Sequence, residues 1–99
     1  ILRLAEDLDR NAVKWDVGKR FSYIDPLGKV RTYTPDFFLT EYNVYLDPKN
    51  DYLINNVNPS LGFSDREKIT RVMEQNNIVV LILDKNSLNW QAVSKALNP

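Results

Sequence analysis

The chain has 99 residues, with 13 Lys and Arg matched by 13 Asp and Glu, and it contains neither cysteine nor histidine. That length makes one domain, whose core can bury roughly 60–65% of the unfolded surface. The two missing residue types exclude a disulfide framework, a thiolate or imidazole metal site, and any histidine base or Ser-His triad. Chemistry here must run on carboxylates, lysine, tyrosine or a bound hard metal. No apolar run approaches the roughly 20 residues of a membrane span, and no basic-then-apolar leader opens the chain. The first residue is Ile1 rather than methionine, so residues 1–99 are expected to be a single domain of a longer chain. Zero net charge counts mildly against a large nucleic-acid surface, because such proteins are more often basic.

In chain order, "ILRLAEDLDRNAVKW" places Ile1, Ala5, Leu8 and Ala12 at helical spacing and predicts an amphipathic helix. "FSYI" and "VRTYT" flank Asp25-Pro26-Leu27-Gly28, a turn signal, and predict a hairpin. "NVYLD" predicts a third strand, entered through a turn at Glu41-Tyr42-Asn43. Residues 50–63 are rich in Asn, with a Pro and a Gly, and read as a long polar loop. Ser64 with Glu67 forms a capping box that opens a second helix, with Ile69, Val72 and Met73 as its buried stripe. "IVVLIL" is a strand covered on both faces. A last helix follows, anchored by Leu88, Ala92 and Leu97. The order is α-β-β-β-α-β-α. Three strands in a meander, and a fourth returning through a helix to pair in parallel, predict an α/β sandwich around a mixed four-stranded sheet.

Residues 33–49, "YTPDFFLTEYNVYLDPK", carry the candidate chemistry. Asp47 and Lys49 lie two apart on a strand and share a face. Pairing through the turn near residue 42 brings Asp36 beside Asp47. Carboxylates held together repel unless a cation or a proton sits between them. Magnesium takes oxygen ligands in octahedral array, and the Pro48 carbonyl offers a third oxygen. Lys49 then reaches an attacking water or a phosphate oxygen. Each residue also has a plain reading: a turn aspartate, a strand-ending Asp-Pro, a solvated lysine. Spacing and element order favour the metal site.

"TYTPDFFL…NVYLDPK" resembles the motif of the PD-(D/E)XK, or restriction-endonuclease-like, nuclease superfamily. Pro35-Asp36 matches its first part and Asp47-Pro48-Lys49 its second. The stretch is similar to that of phage homing endonucleases and phage junction-resolving endonucleases. The resemblance implies a restriction-endonuclease-like core and a magnesium-dependent endonuclease, with manganese as an alternative metal. Asp36, Asp47 and the Pro48 carbonyl would be its metal ligands, and Asp36, Asp47 and Lys49 its catalytic residues. It further implies a double-stranded or branched DNA substrate and the cytoplasm of a phage or bacterial host cell. Cutting both strands needs two sites, which makes a homodimer or higher assembly the expected state.

The sequence departs from the motif in three ways. The second acid is Asp, where Glu is commoner. Pro48 stands where a β-branched residue is usual, which fits a strand end or an edge. Many members carry a further acid on the first helix. Here it should fall near Ile1 or just before it, since Glu6 lies off the apolar stripe. A non-catalytic nucleic-acid-binding domain with the nuclease fold is the alternative reading, and a plain structural domain is a third.

Lys19, Arg20, Lys29 and Arg31, on the hairpin arms, and Tyr52 and Asn55, in the polar loop, are candidate DNA contacts. Asn56 and Asn58 share the loop's chemistry. Lys68 and Arg71 read as surface residues of the second helix. Trp15 and Trp90 read as packing residues among helix-like neighbours, and Tyr23 and Tyr33 as half-buried strand residues.

Overall fold

Leu4 and Leu8 recur four residues apart and are both fully buried, which sets the inward stripe of helix α1 (Leu2–Arg10). The computed structural model describes residues 2–98, so the predicted anchor Ile1 lies outside the described residues. Helix α1 ends where Ala12 turns left-handed at φ 57°. Ala12, expected on the buried stripe, is therefore exposed and beyond the helix.

Strand β1 (Trp15–Val17) follows, then β2 (Phe21–Ile24) and β3 (Val30–Tyr33) as an antiparallel hairpin. The hairpin turn is held by Asp25, whose Oδ1 accepts from the Leu27 and Lys29 amides. Next come β4 (Phe37–Leu39) and β5 (Val44–Pro48), joined by a turn that places Asn43 in the left-handed region. Helix α2 (Asp51–Asn55), capped by Asn50, occupies part of the stretch expected to be loop. Helix α3 (Asp65–Asn76) carries the expected capping box between Ser64 and Glu67, and buries Ile69 and Val72. Strand β6 (Val80–Leu83) and helix α4 (Trp90–Leu97) complete the chain.

The mixed four-stranded sheet is present, in the order β1-β4-β5-β6, with β5 and β6 parallel as expected. Its membership differs from the expected meander, because the β2–β3 hairpin forms a separate two-stranded sheet. Pro35 lacks a ladder donor and ends β3. The chain then restarts as the three-residue strand "FFL", which pairs with β5. Strand β1 pairs on the other side of β4. Neither three-residue strand is long enough to show a periodicity in the sequence.

Two apolar clusters sandwich the sheet. On one face Leu4, Leu8 and Val93 of the helices α1 and α4 meet Phe37, Leu39, Val44, Leu46 and Leu83. On the other face Ile69 and Val72 of α3, with Phe21, Tyr23 and Tyr33 of the hairpin, meet Tyr45 and Val80. Gln75 and Asn76 of α3 bond the β2 backbone at Ile24 and Ser22, fixing the hairpin to that helix. Trp15 stacks edge-on against Phe37, from a strand rather than a helix, and Trp90 packs against Tyr42. Among the described residues no helix is long and apolar enough to cross a membrane.

Candidate active site

Strand alternation decides which face each side chain takes. On β5, Val44 and Leu46 join the α1–α4 cluster, while Tyr45 joins the α3–hairpin cluster. Asp47 is in step with Tyr45, so it points to the α3–hairpin face. Phe37 pairs with Leu46, so one step further along the same register sets Asp36 opposite Asp47. The two carboxylates therefore share a face at one end of the β4–β5 ladder. The expected turn near residue 42 joins the pair, but the strand beside β5 is β4 rather than the expected second strand, which stays in the hairpin.

Asp47 is 1% exposed. Its Oδ2 accepts from the Tyr33 hydroxyl and lies 3.2 Å from Lys49 Nζ. Burial pushes the Asp47 carboxyl above its ordinary value. Tyr33 and Lys49 oppose that push, and the charge of Asp36 adds to it. The Tyr33 hydroxyl is also raised, first by burial and then by Asp47, with Asp36 and Asp65 contributing at longer range. Tyr33 is thus the hub of the site rather than the half-buried strand residue expected. Lys49 and Lys68 place their ammonium groups 5.8 and 5.4 Å from its ring centroid. Lys68 also lies 3.5 Å from Asp65 Oδ1, and its side chain is only 16% exposed. This corrects the reading of Lys68 as a surface residue. The first turn of α3 delivers Asp65 and Lys68 to the site, and only tertiary packing brings that turn to Tyr33.

Pro48 is accommodated because of where the ladder stops. The Tyr45 amide bonds Val79, just before β6, and the Lys49 amide bonds Leu83 within it. By alternation, Pro48 turns its nitrogen and carbonyl edge toward the β4 side. There the pairing has already ended at Phe37–Leu46, so no ladder donor is lost. Its carbonyl faces the side that carries Asp36. Gly18 fits against the same backbone: its amide bonds the Asp36 carbonyl at 3.3 Å, and a Cβ there would lie 1.9 Å from the Pro35 oxygen.

The donor set suits a small hard cation. Magnesium is commonly held by one or two carboxylates, with waters and phosphate oxygens completing the octahedron. A carboxylate whose charge is disfavoured by burial gains from a cation beside it. Among the described residues no group of three or more Asp or Glu side chains gathers to hold a metal unaided. Glu6 is exposed on α1, which packs on the opposite face of the sheet. It lines a cleft of about 500 Å3 with Arg3, Asp7, Arg10 and Lys85. A position just before Ile1 lies outside the described residues. A cleft of about 330 Å3 borders Pro48, Lys49 and Asp51.

The candidate DNA contacts divide. Lys19 and Arg20 are exposed at the Tyr33 end of the hairpin, and Lys19 stacks over Phe21 at 5.4 Å. Lys29 is exposed at the turn end, a strand length away from Tyr33. Arg31 is bound through Nε to the buried Asp25. Burial opposes the ionised form of Asp25, but Arg31 and the turn amides outweigh it and hold its carboxyl below the ordinary range. Tyr52 is 66% exposed. Asn55 accepts from Arg66 Nε at 2.6 Å, tying α2 to α3. Asn56 and Asn58 bond local backbone.

Comparison of the chain with family models, with curated proteins and with solved structures finds no match.

Proposed function

We propose that the chain is a metal-dependent DNA endonuclease domain with a restriction-endonuclease-like core. One observation carries the reading: Asp36, Asp47 and Lys49 converge on one face at the end of β4–β5, with Asp47 buried and Lys49 in contact with it. Asp36, Asp47 and the Pro48 carbonyl would hold magnesium or manganese. Bound there, the ion supplies a Lewis acid that eases proton loss from water and offsets phosphoryl charge. Lys49 presents its ammonium to the attacking water and to the phosphate oxygens, where negative charge grows. The Tyr33 hydroxyl orients Asp47. The water oxygen attacks phosphorus in line, the bond to the 3′ oxygen breaks, and that oxygen leaves with a proton. The products carry a 5′ phosphate and a 3′ hydroxyl. A site-specific, phage-type homing enzyme is the favoured role and junction resolution the neighbouring one. A homodimer would supply the two sites that a double-strand cut needs.

A second reading, a nucleic-acid-binding domain without catalysis, draws on a separate observation. No third acid joins the pair among the described residues. Cleavage of plasmid and of branched DNA in magnesium, by the chain and by Lys49→Ala, separates the two readings. Cutting that is lost in the variant, by about a hundredfold or more as for a charge-stabilising group, supports the enzyme. A folded chain that cuts neither DNA supports the binding domain.

A further inference from the structure

A further cleft, of about 380 Å3, opens between the hairpin and α3, lined by Tyr23, Arg31, Thr32, Leu61 and Lys68. We propose that this cleft is a phosphate subsite that holds the backbone of a nucleic-acid strand beside the Asp36–Asp47 pair. The proposal rests on the nucleic-acid reading above and extends it to residues outside the metal and lysine set.

The cleft is rich in donors, and the fold orients them. Asp25 takes Arg31 through Nε, and Asp25 is itself locked by the Leu27 and Lys29 amides. Both Nη groups of Arg31 are left without a protein partner among the described residues. That arrangement presents a fixed guanidinium fork, the geometry that matches phosphate. The guanidinium lies over the Phe63 ring, 5.8 Å from its centroid.

Tyr23 supplies an independent observation. The residue is 3% exposed, yet its hydroxyl makes no hydrogen bond within the described residues. No fully buried side-chain oxygen among them lacks a partner, so the Tyr23 hydroxyl must reach the cleft surface. A hydroxyl held by a nearly buried ring at a cleft surface can donate to an anion bound there.

Lys68 joins the two sites. It lines this cleft and also sits over the Tyr33 ring, whose hydroxyl holds Asp47. A ligand spanning both sites must offer repeated anionic groups along an extended chain. A phosphodiester backbone does so, and phosphate contacts of this kind fix register without reading sequence.

Anisotropy of fluorescein-labelled duplex and branched DNA in EDTA tests the subsite without any cleavage. Leu61→Glu places a negative charge at the cleft lining and is expected to weaken binding at least about tenfold. Lys68→Gln is expected to lower the slope of log affinity against log salt by about 0.9, the loss of one phosphate contact. Tyr23→Phe, which keeps the ring, is expected to weaken binding as well. Lys95→Gln, exposed on α4 across the sheet, is expected to bind as the parent does. Circular dichroism confirms the fold of each variant. Parent-like affinity in both Leu61→Glu and Lys68→Gln overturns the proposal, as does a parent that binds no DNA at low salt. Inorganic phosphate that shifts the Thr32 and Leu61 amide resonances, in a chain whose DNA affinity ignores the variants, overturns it in favour of a small-anion site. Cleft-dependent binding without cutting leaves the subsite standing and removes the nuclease reading. Cutting that is unchanged in all the cleft variants does the reverse.

Discussion

Burial raises the Asp47 carboxyl, so folding favours its protonated form. The stabilisation belonging to that form is complete below the unfolded carboxyl range. It is lost as pH rises through the folded value. At neutral pH the buried charge is therefore a cost to the metal-free chain. Asp47→Asn is expected to raise the thermal midpoint in EDTA, each kcal/mol gained moving it by roughly 4–8 °C in a domain this small. The same change should erase the magnesium-dependent rise in midpoint expected of the parent, and cleavage with it. Calorimetry with and without magnesium checks both. Tyr33→Phe removes a donor that favours the charged form of Asp47, so the carboxyl moves further up. The acid limb of the cleavage profile and of magnesium affinity should shift to higher pH, with the fold intact. An unchanged profile would mean that Tyr33 is only a packing residue. Asp47 and Lys49 were legible together because a strand's period of two puts them on one face, whereas the approach of Asp36 came through a strand the local pattern did not show. Tyr33, Asp65 and Lys68 were not legible, since nothing in their spacing connects the first turn of α3 to the end of β3.

At the scale of elements, the site depends on how β4 is launched. Pro35 ends the hairpin, Gly18 lies against its carbonyl, and Asp36 follows at the head of the strand. Gly18→Ala cannot be absorbed by a side-chain rotation, because the colliding atoms are backbone. Overpacking of this kind costs about 1–3 kcal/mol. It should also move Asp36, and a displacement near 1 Å can cost about a hundredfold in rate. Denaturant unfolding and cleavage rates measure the two effects separately, and a larger effect on rate than on stability is expected. The hairpin, the capping box and the last strand were readable from local turn and cap chemistry. The short strands β1 and β4 and the five-residue helix α2 were not, because tertiary pairing rather than local pattern holds them.

Over the whole molecule, the sheet separates the candidate site from the larger apolar cluster. Leu46 is fully buried against the helices α1 and α4, and its neighbours Tyr45 and Asp47 face the other way. Leu46→Ala is expected to cost about 2–5 kcal/mol, a large share of the roughly 5–15 kcal/mol that holds a domain together. Near the growth temperature this variant should lose activity through unfolding. At lower temperature it should keep the magnesium affinity of the parent, which a titration followed by fluorescence would read. The sequence by itself determined the class of the fold, the parallel return to β6, the caps, and the shared face of Asp47 and Lys49. Each of these follows from periodicity or from chemistry between near neighbours in the chain. Only the tertiary structure decided that the hairpin leaves the main sheet and that α3 closes over Tyr33. It also decided that Arg31 is oriented by Asp25 and that the Tyr23 hydroxyl is left open at a cleft. Those outcomes depend on which apolar faces meet, and such contacts join residues too far apart in sequence for any local pattern to encode.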